Sequence, residues 1–138
     1  MESLADGVTR HRHLDFDING STSWLRGGTI FVRRALADWN LTSVRDSDDD
    51  VVLVARELLS NAVQHSSGPL RLDLDWKGSL LRIAVTDRSH EQPRLENPRG
   101  GIGGYGLVIV DRLAVRWASA PEAPGKRVWA EVEVEQDG

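Results

Sequence analysis

The chain has 138 residues, a formal net charge of −4, 28% charged and 40% apolar side chains, the composition of a soluble globular domain with one hydrophobic core. It has no cysteine, which excludes disulfide scaffolds, thiol catalysis and cysteine–zinc sites. Its arginines (Arg10, Arg26, Arg33, Arg56, Arg82 and Arg112 among them) are scattered rather than gathered into the basic stripe that nucleic acid binding needs, and no apolar run nears the roughly 20 residues of a membrane span.

Residues His11 to Ile18 alternate His13 against Leu14 and Phe16, which predicts a first strand. Residues 21–39 carry Trp24, Leu25, Phe31, Val32, Ala35, Leu36 and Trp39, helical spacing with one buried stripe. Ser21, Thr22 and Ser23 offer N-cap oxygens. Gly27 and Gly28 each cost this helix about 1 kcal/mol relative to alanine. Gly28 lies on the apolar stripe, which anticipates the close approach of another backbone.

Ser47-Asp48-Asp49-Asp50 opens a second helix, because a cap oxygen and negative charge suit a helix N-terminus. Val51, Val54, Ala55, Leu58, Leu59 and Ala62 form its apolar face, and it ends near Ser66-Ser67-Gly68-Pro69. Leu70 to Trp76 alternates without a break and reads as a half-buried strand. Lys77-Gly78-Ser79 is a hairpin turn, and Leu80 to Thr86 returns to Asp87. Residues 88–104 form a long polar, Gly/Pro-rich loop, a length usually tied to function. Leu107 to Leu113 is a short helix. Val115 to Ala118 and Val128 to Val134 are strands around a turn at Pro121 to Gly125. This order predicts an α/β two-layer sandwich, with helices on one face of a mixed, largely antiparallel sheet. The expected organisation is a single domain over residues 1–138 with loose ends at about 1–9 and 135–138. The N-terminus has no apolar secretion core, so the expected location is cytoplasmic, without membrane or direct nucleic acid contact.

Three constellations carry chemistry. Glu57, Asn61 and His65 fall at i, i+4 and i+8 of the second helix, one row of neighbours about 5–6 Å apart that flanks the apolar stripe. A carboxylate there can take a proton from a hydroxyl, and an Asn oxygen is a hard, neutral ligand suited to Mg²⁺. The same row also describes a solvated helix flank. Asp87, after Thr86 at a strand end, can accept a hydrogen bond from the amino group of adenine and so reject guanine; it can equally be a strand-ending cap. Gly100-Gly101-Ile102-Gly103-Gly104-Tyr105-Gly106-Leu107 holds five glycines in seven residues before a helix. Such a run lets backbone amides approach a phosphate chain at the helix start, although linkers share the composition. It lacks the Gly-Lys-Ser/Thr of a Walker loop.

Taken together these segments resemble the GHKL ATPases (gyrase, chaperone, histidine kinase and MutL types). Glu57 through His65 resembles their N box. Val85-Thr86-Asp87-Arg88-Ser89 resembles their first glycine box. Gly104-Tyr105-Gly106-Leu107, followed by Val108 to Ala114 and Trp117, resembles the second. The branch of closest resemblance is the actinobacterial anti-sigma regulatory kinases, including Gly125-Lys126 and Val128-Trp129-Ala130-Glu131, and the likeness runs from about Ser21 to Val134. It implies a Bergerat-type ATP-binding fold with ATP and Mg²⁺ as cofactors. Asn61 would ligate Mg²⁺ and Glu57 would be the general base. Asp87 would read adenine with Ser89 beside it. Gly104 and Gly106 would hold the phosphates, and Gly101, Gly103, Tyr105 and Leu107 would also be cofactor-binding. Residues 88–104 would form the lid, with Arg94 and Arg99 as γ-phosphate candidates after Arg88. The implied partners are a sigma factor and an anti-anti-sigma (STAS-type) protein phosphorylated on serine or threonine, with the kinase a homodimer. The alternative is an anti-sigma binding module that transfers no phosphate. Two positions depart from the pattern: Ser89 replaces a glycine of the wider family, and Arg127 stands where many relatives have threonine. His65 reads as a residue capping helix-end carbonyls.

Overall fold

A computed structural model of the chain describes residues 9–17, 23–44, 50–65, 68–91 and 105–136. In chain order these form β1 (Arg10–Asp15), α1 (Trp24–Trp39), β2 (Leu41–Ser43), α2 (Asp50–His65), β3 (Pro69–Lys77), β4 (Leu80–Asp87), α3 (Tyr105–Leu113), β5 (Arg116–Glu122) and β6 (Gly125–Gln136). The six strands make one sheet in the order β1-β3-β4-β6-β2, with β5 also on β6. Every pairing among the described residues is antiparallel, so the expected two-layer α/β architecture holds while its mixed sheet becomes a uniformly antiparallel one. The long strand β6 organises the layer. One of its edges takes β4 from Leu80↔Glu133 to Asp87↔Lys126; the other is shared between β5 at Gly125–Glu131 and β2 at Val134–Gln136.

Side chains alternate across a strand, and that period divides the sheet into two faces. Leu72, Leu74 and Trp76 of β3, Leu81, Ile83 and Val85 of β4, and Val128, Ala130, Val132 and Val134 of β6 are all buried in one core with α1 and α2. Helix α2 sits centrally, packed on α1, α3, β3, β4 and β6. The opposite face is polar. There Glu131 joins Arg82 and Arg116, and the Arg82 guanidinium lies 3.9 Å from the Trp129 ring centroid. Burial raises the Glu131 carboxyl, but hydrogen bonds and charge from the two arginines outweigh it and leave the group below its ordinary value.

Several boundaries differ from the sequence reading for physical reasons. Ser23 occupies the N-cap of α1 but makes no side-chain capping bond, because its backbone is already in the helical region; Ser21 and Thr22 lie outside the described residues. At the other end Asn40 adopts a left-handed conformation (φ 53°, ψ 46°) and its N–H closes onto Ala37 and Leu36 carbonyls, the usual way an orphan helix end is satisfied. The strand β2 was not anticipated, since three residues carry no periodicity. Strand β5 runs on to Glu122, and β6 begins at Gly125 and extends through Glu135 and Gln136, so these two residues of the expected loose tail are strand, and residues 137–138 lie outside the described residues. The opening Ser47-Asp48-Asp49 lies outside the described residues.

Gly28 does face a close neighbour, but a side chain rather than a backbone. A Cβ on Gly28 would lie 2.4 Å from Leu59 Cδ1. Gly28→Ala is therefore expected to destabilise the fold by about 1–3 kcal/mol through overpacking, despite alanine's better helix propensity. Urea unfolding of Gly28→Ala, Leu59→Val and the double variant checks this, with the double variant less destabilised than the sum.

Candidate functional site

The site begins on α2. Glu57 is half-buried and Asn61 is buried, which places the row at the rim of the core rather than on a solvated flank. Burial pushes the Glu57 carboxyl above its ordinary value, against a smaller downward pull from the Arg56 guanidinium. Asn61 is 8% exposed, and no hydrogen bond to its side-chain amide is found among the described residues. A buried amide without a partner costs free energy, so this position suits an oxygen kept for a ligand. The side chain of His65 lies outside the described residues.

Asp87 and Lys126 continue the inward rows of β4 and β6, one step past Val85 and Val128. They face each other in register, and each is 1% exposed. Lys126 Nζ donates to both carboxylate oxygens of Asp87 at 3.0 and 3.1 Å. The Ser89 N–H donates to Asp87 Oδ1 at 2.8 Å. The ammonium and the amide together hold the buried carboxylate in place, with acceptor capacity left on the two oxygens for a further donor.

Two neighbours make this arrangement possible. A Cβ on Gly125 would sit 2.2 Å from the Asp87 carbonyl oxygen and 2.5 Å from the Arg88 carbonyl carbon, so only glycine lets the two strand ends approach. Ser89 has no positive φ, since Asn40 is the one described non-glycine residue that does. The glycine-to-serine departure thus requires no unusual backbone here. The Ser89 hydroxyl accepts the Glu91 N–H at 3.1 Å. Arg127 pairs with Thr86 on the opposite face from Lys126 and is half-buried.

The glycine run is covered only at its end. Arg94, Arg99, Gly101, Gly103 and Gly104 lie outside the described residues. Tyr105 and Gly106 open α3, with their side-chain surroundings also outside, and Leu107 is buried at 3% exposure. Because α2 packs on both β4 and α3, the helix bearing Glu57 and Asn61 is flanked by the strand that ends at Asp87 and by the helix that the glycines lead into. A family model of the histidine kinase-like ATPase domain matches residues 29–132.

The chain belongs to that family.

The matched span takes in Glu57, Asn61, Asp87, Ser89, the whole glycine run and Lys126. A histidine kinase-like ATPase domain is an ATP-binding unit, and the antiparallel sheet with helices packed on it is consistent with that fold. A comparison with curated proteins found no match. No helix among the described residues is long and apolar enough to cross a membrane.

Sequence reasoning missed the role of Lys126 in this ATPase domain. Its partner lies 39 residues away, beyond any local pattern. The available signal was a lysine heading the inward row of an apolar strand, just after a glycine, where a charge needs a counter-charge.

Proposed function

We propose that this ATPase domain is a cytoplasmic anti-sigma regulatory factor that binds Mg-ATP and phosphorylates a serine or threonine of an anti-anti-sigma (STAS-type) protein, controlling the availability of a sigma factor. The observation that carries this reading is the pairing on α2 of a proton-hungry carboxylate, Glu57, with the buried amide of Asn61, which has no hydrogen-bond partner among the described residues. Asn61 would supply an oxygen to Mg²⁺, a cation that prefers such ligands alongside substrate phosphates; bound there, it neutralises phosphate charge. Glu57 takes the hydroxyl proton, the hydroxyl oxygen bonds to the γ-phosphorus, and the bond to the bridging oxygen of ADP breaks. Asp87 accepts from the adenine amino group while the Lys126 ammonium holds its carboxylate in position. Phosphoryl transfer needs little more than such positioning and charge stabilisation. The domain acts as a homodimer.

A second reading, a binding module that sequesters a sigma factor without transfer, draws on the Lys126 ammonium set against both oxygens of Asp87 and on the half-buried Arg127. Incubation with labelled ATP, Mg²⁺ and STAS-type proteins of the same genome separates the two. Label on the partner supports the kinase. ATP binding without label supports the module, and no ATP binding overturns the nucleotide role of the site. Asn61→Ala is expected to weaken Mg-dependent ATP binding by calorimetry at least about tenfold, roughly 1.4 kcal/mol. Unchanged affinity with Mg²⁺ present would defeat the ligand assignment.

A further inference from the structure

The polar face of the sheet carries a cluster remote in character from the α2 row. His11 and His13 lie two apart on β1 and project to the same face. Their register partners on β3 are Asp75 and Asp73. One ligand atom from each of His11, His13 and Asp73 falls within 4.8 Å of the others. The contacts of His11 are ordered in a particular way. Its Nδ1 meets Asp75 Oδ1 at 2.7 Å, and its Nε2 stands 3.4 Å from Asp73 Oδ1.

From this geometry we infer a divalent transition-metal site, of the Zn²⁺ class, formed by His11, His13 and Asp73. Nδ1–H donation to Asp75 fixes the His11 tautomer and turns the Nε2 lone pair toward Asp73, the carboxylate–histidine–metal relation that orients a ligand and raises its basicity. Two ligand atoms each about 2.0–2.2 Å from a tetrahedral zinc stand about 3.4 Å apart, the separation found between His11 Nε2 and Asp73 Oδ1. Asp73 is held in place by burial, at 7% exposure, and by the Arg71 Nε–H, which donates to Oδ1 at 3.0 Å. With the ion bound, Arg71 shares the carboxylate. Two imidazoles and one carboxylate select a nitrogen-preferring ion over Mg²⁺, so the site stands independently of any nucleotide chemistry. Three protein ligands leave a fourth position to water. The ion bridges the edge strand β1 to β3 and thereby fastens it.

The test uses the full chain without a histidine tag and without ATP, titrated with ZnCl₂ by calorimetry and by equilibrium dialysis in a large excess of Mg²⁺. One equivalent of zinc per chain, a raised melting temperature on addition, and affinity at least tenfold lower in His11→Ala and His13→Ala are the expected results. Asp75→Asn should weaken binding about 10–100-fold while keeping the stoichiometry. Far-UV circular dichroism establishes that the variants are folded; these partly exposed positions are outside the core. Zinc uptake that is absent, displaced by Mg²⁺, or equal in folded wild type and both histidine variants would overturn the site.

Discussion

Replacing Lys126 with methionine is expected to lower stability by about 3–5 kcal/mol, the cost of leaving one member of a buried ion pair without its partner. Methionine keeps the length and most of the volume of the lysine stem, so the loss is electrostatic rather than a cavity effect. The unpaired group is Asp87, at 1% exposure, with the Ser89 amide as its remaining donor among the described residues. Asp87→Asn combined with Lys126→Met removes both charges and is expected to recover most of the loss, because neutral replacement of a buried pair is often tolerated. Denaturant unfolding followed by the fluorescence of the five tryptophans measures the cycle. A Lys126→Met penalty below about 1 kcal/mol, in the range of an exposed ion pair, would show that the contact is not buried in solution.

Glu57→Gln is expected to retain Mg-ATP affinity and to lower phosphoryl transfer by about 10²–10⁴-fold, the usual contribution of a positioned general base. The pH dependence carries a sign. Burial raises the Glu57 carboxyl above its ordinary value, so the wild-type rate should rise with pH through a limb displaced above the usual carboxylate range, and the glutamine variant should lose that limb. The same shift makes the folded chain bind this proton more tightly than the unfolded chain. Its contribution favours the fold at low pH and is lost as pH rises from the unfolded value through the folded one. Transfer at the wild-type rate by Glu57→Gln would remove Glu57 from the chemistry.

Legibility in the sequence followed the range of the interaction. The apolar period of α2 and the alternation of β3 and β4 are local, and Val51, Val54, Ala55, Leu58, Leu59 and Ala62, Leu72, Leu74 and Trp76, and Leu81, Ile83 and Val85 lie in the core as those periods require. The Glu57–Asn61 row was legible because four residues on a helix is a contact distance. Its burial was not, since that depends on how α2 seats among α3, β4 and β6. Gly28 signalled a close approach without saying to what; the answer, Leu59, is on another helix. Lys126 needed the register of β4 against β6, and the His11–Asp75 contact needed that of β1 against β3. Both are non-local pairings that no window of the sequence contains.

The ion pair at the head of β6 has an evolutionary corollary. A descendant that did not need the base-reading role proposed for Asp87 would be free to lose it by function but not by folding, since one substitution strands a cation where water does not reach. Divergence at this position is therefore expected to proceed through paired changes. Retention of Asp87 across a lineage therefore testifies to architecture as much as to nucleotide choice, and simultaneous replacement of both residues is the mark to seek in relatives that have abandoned ATP.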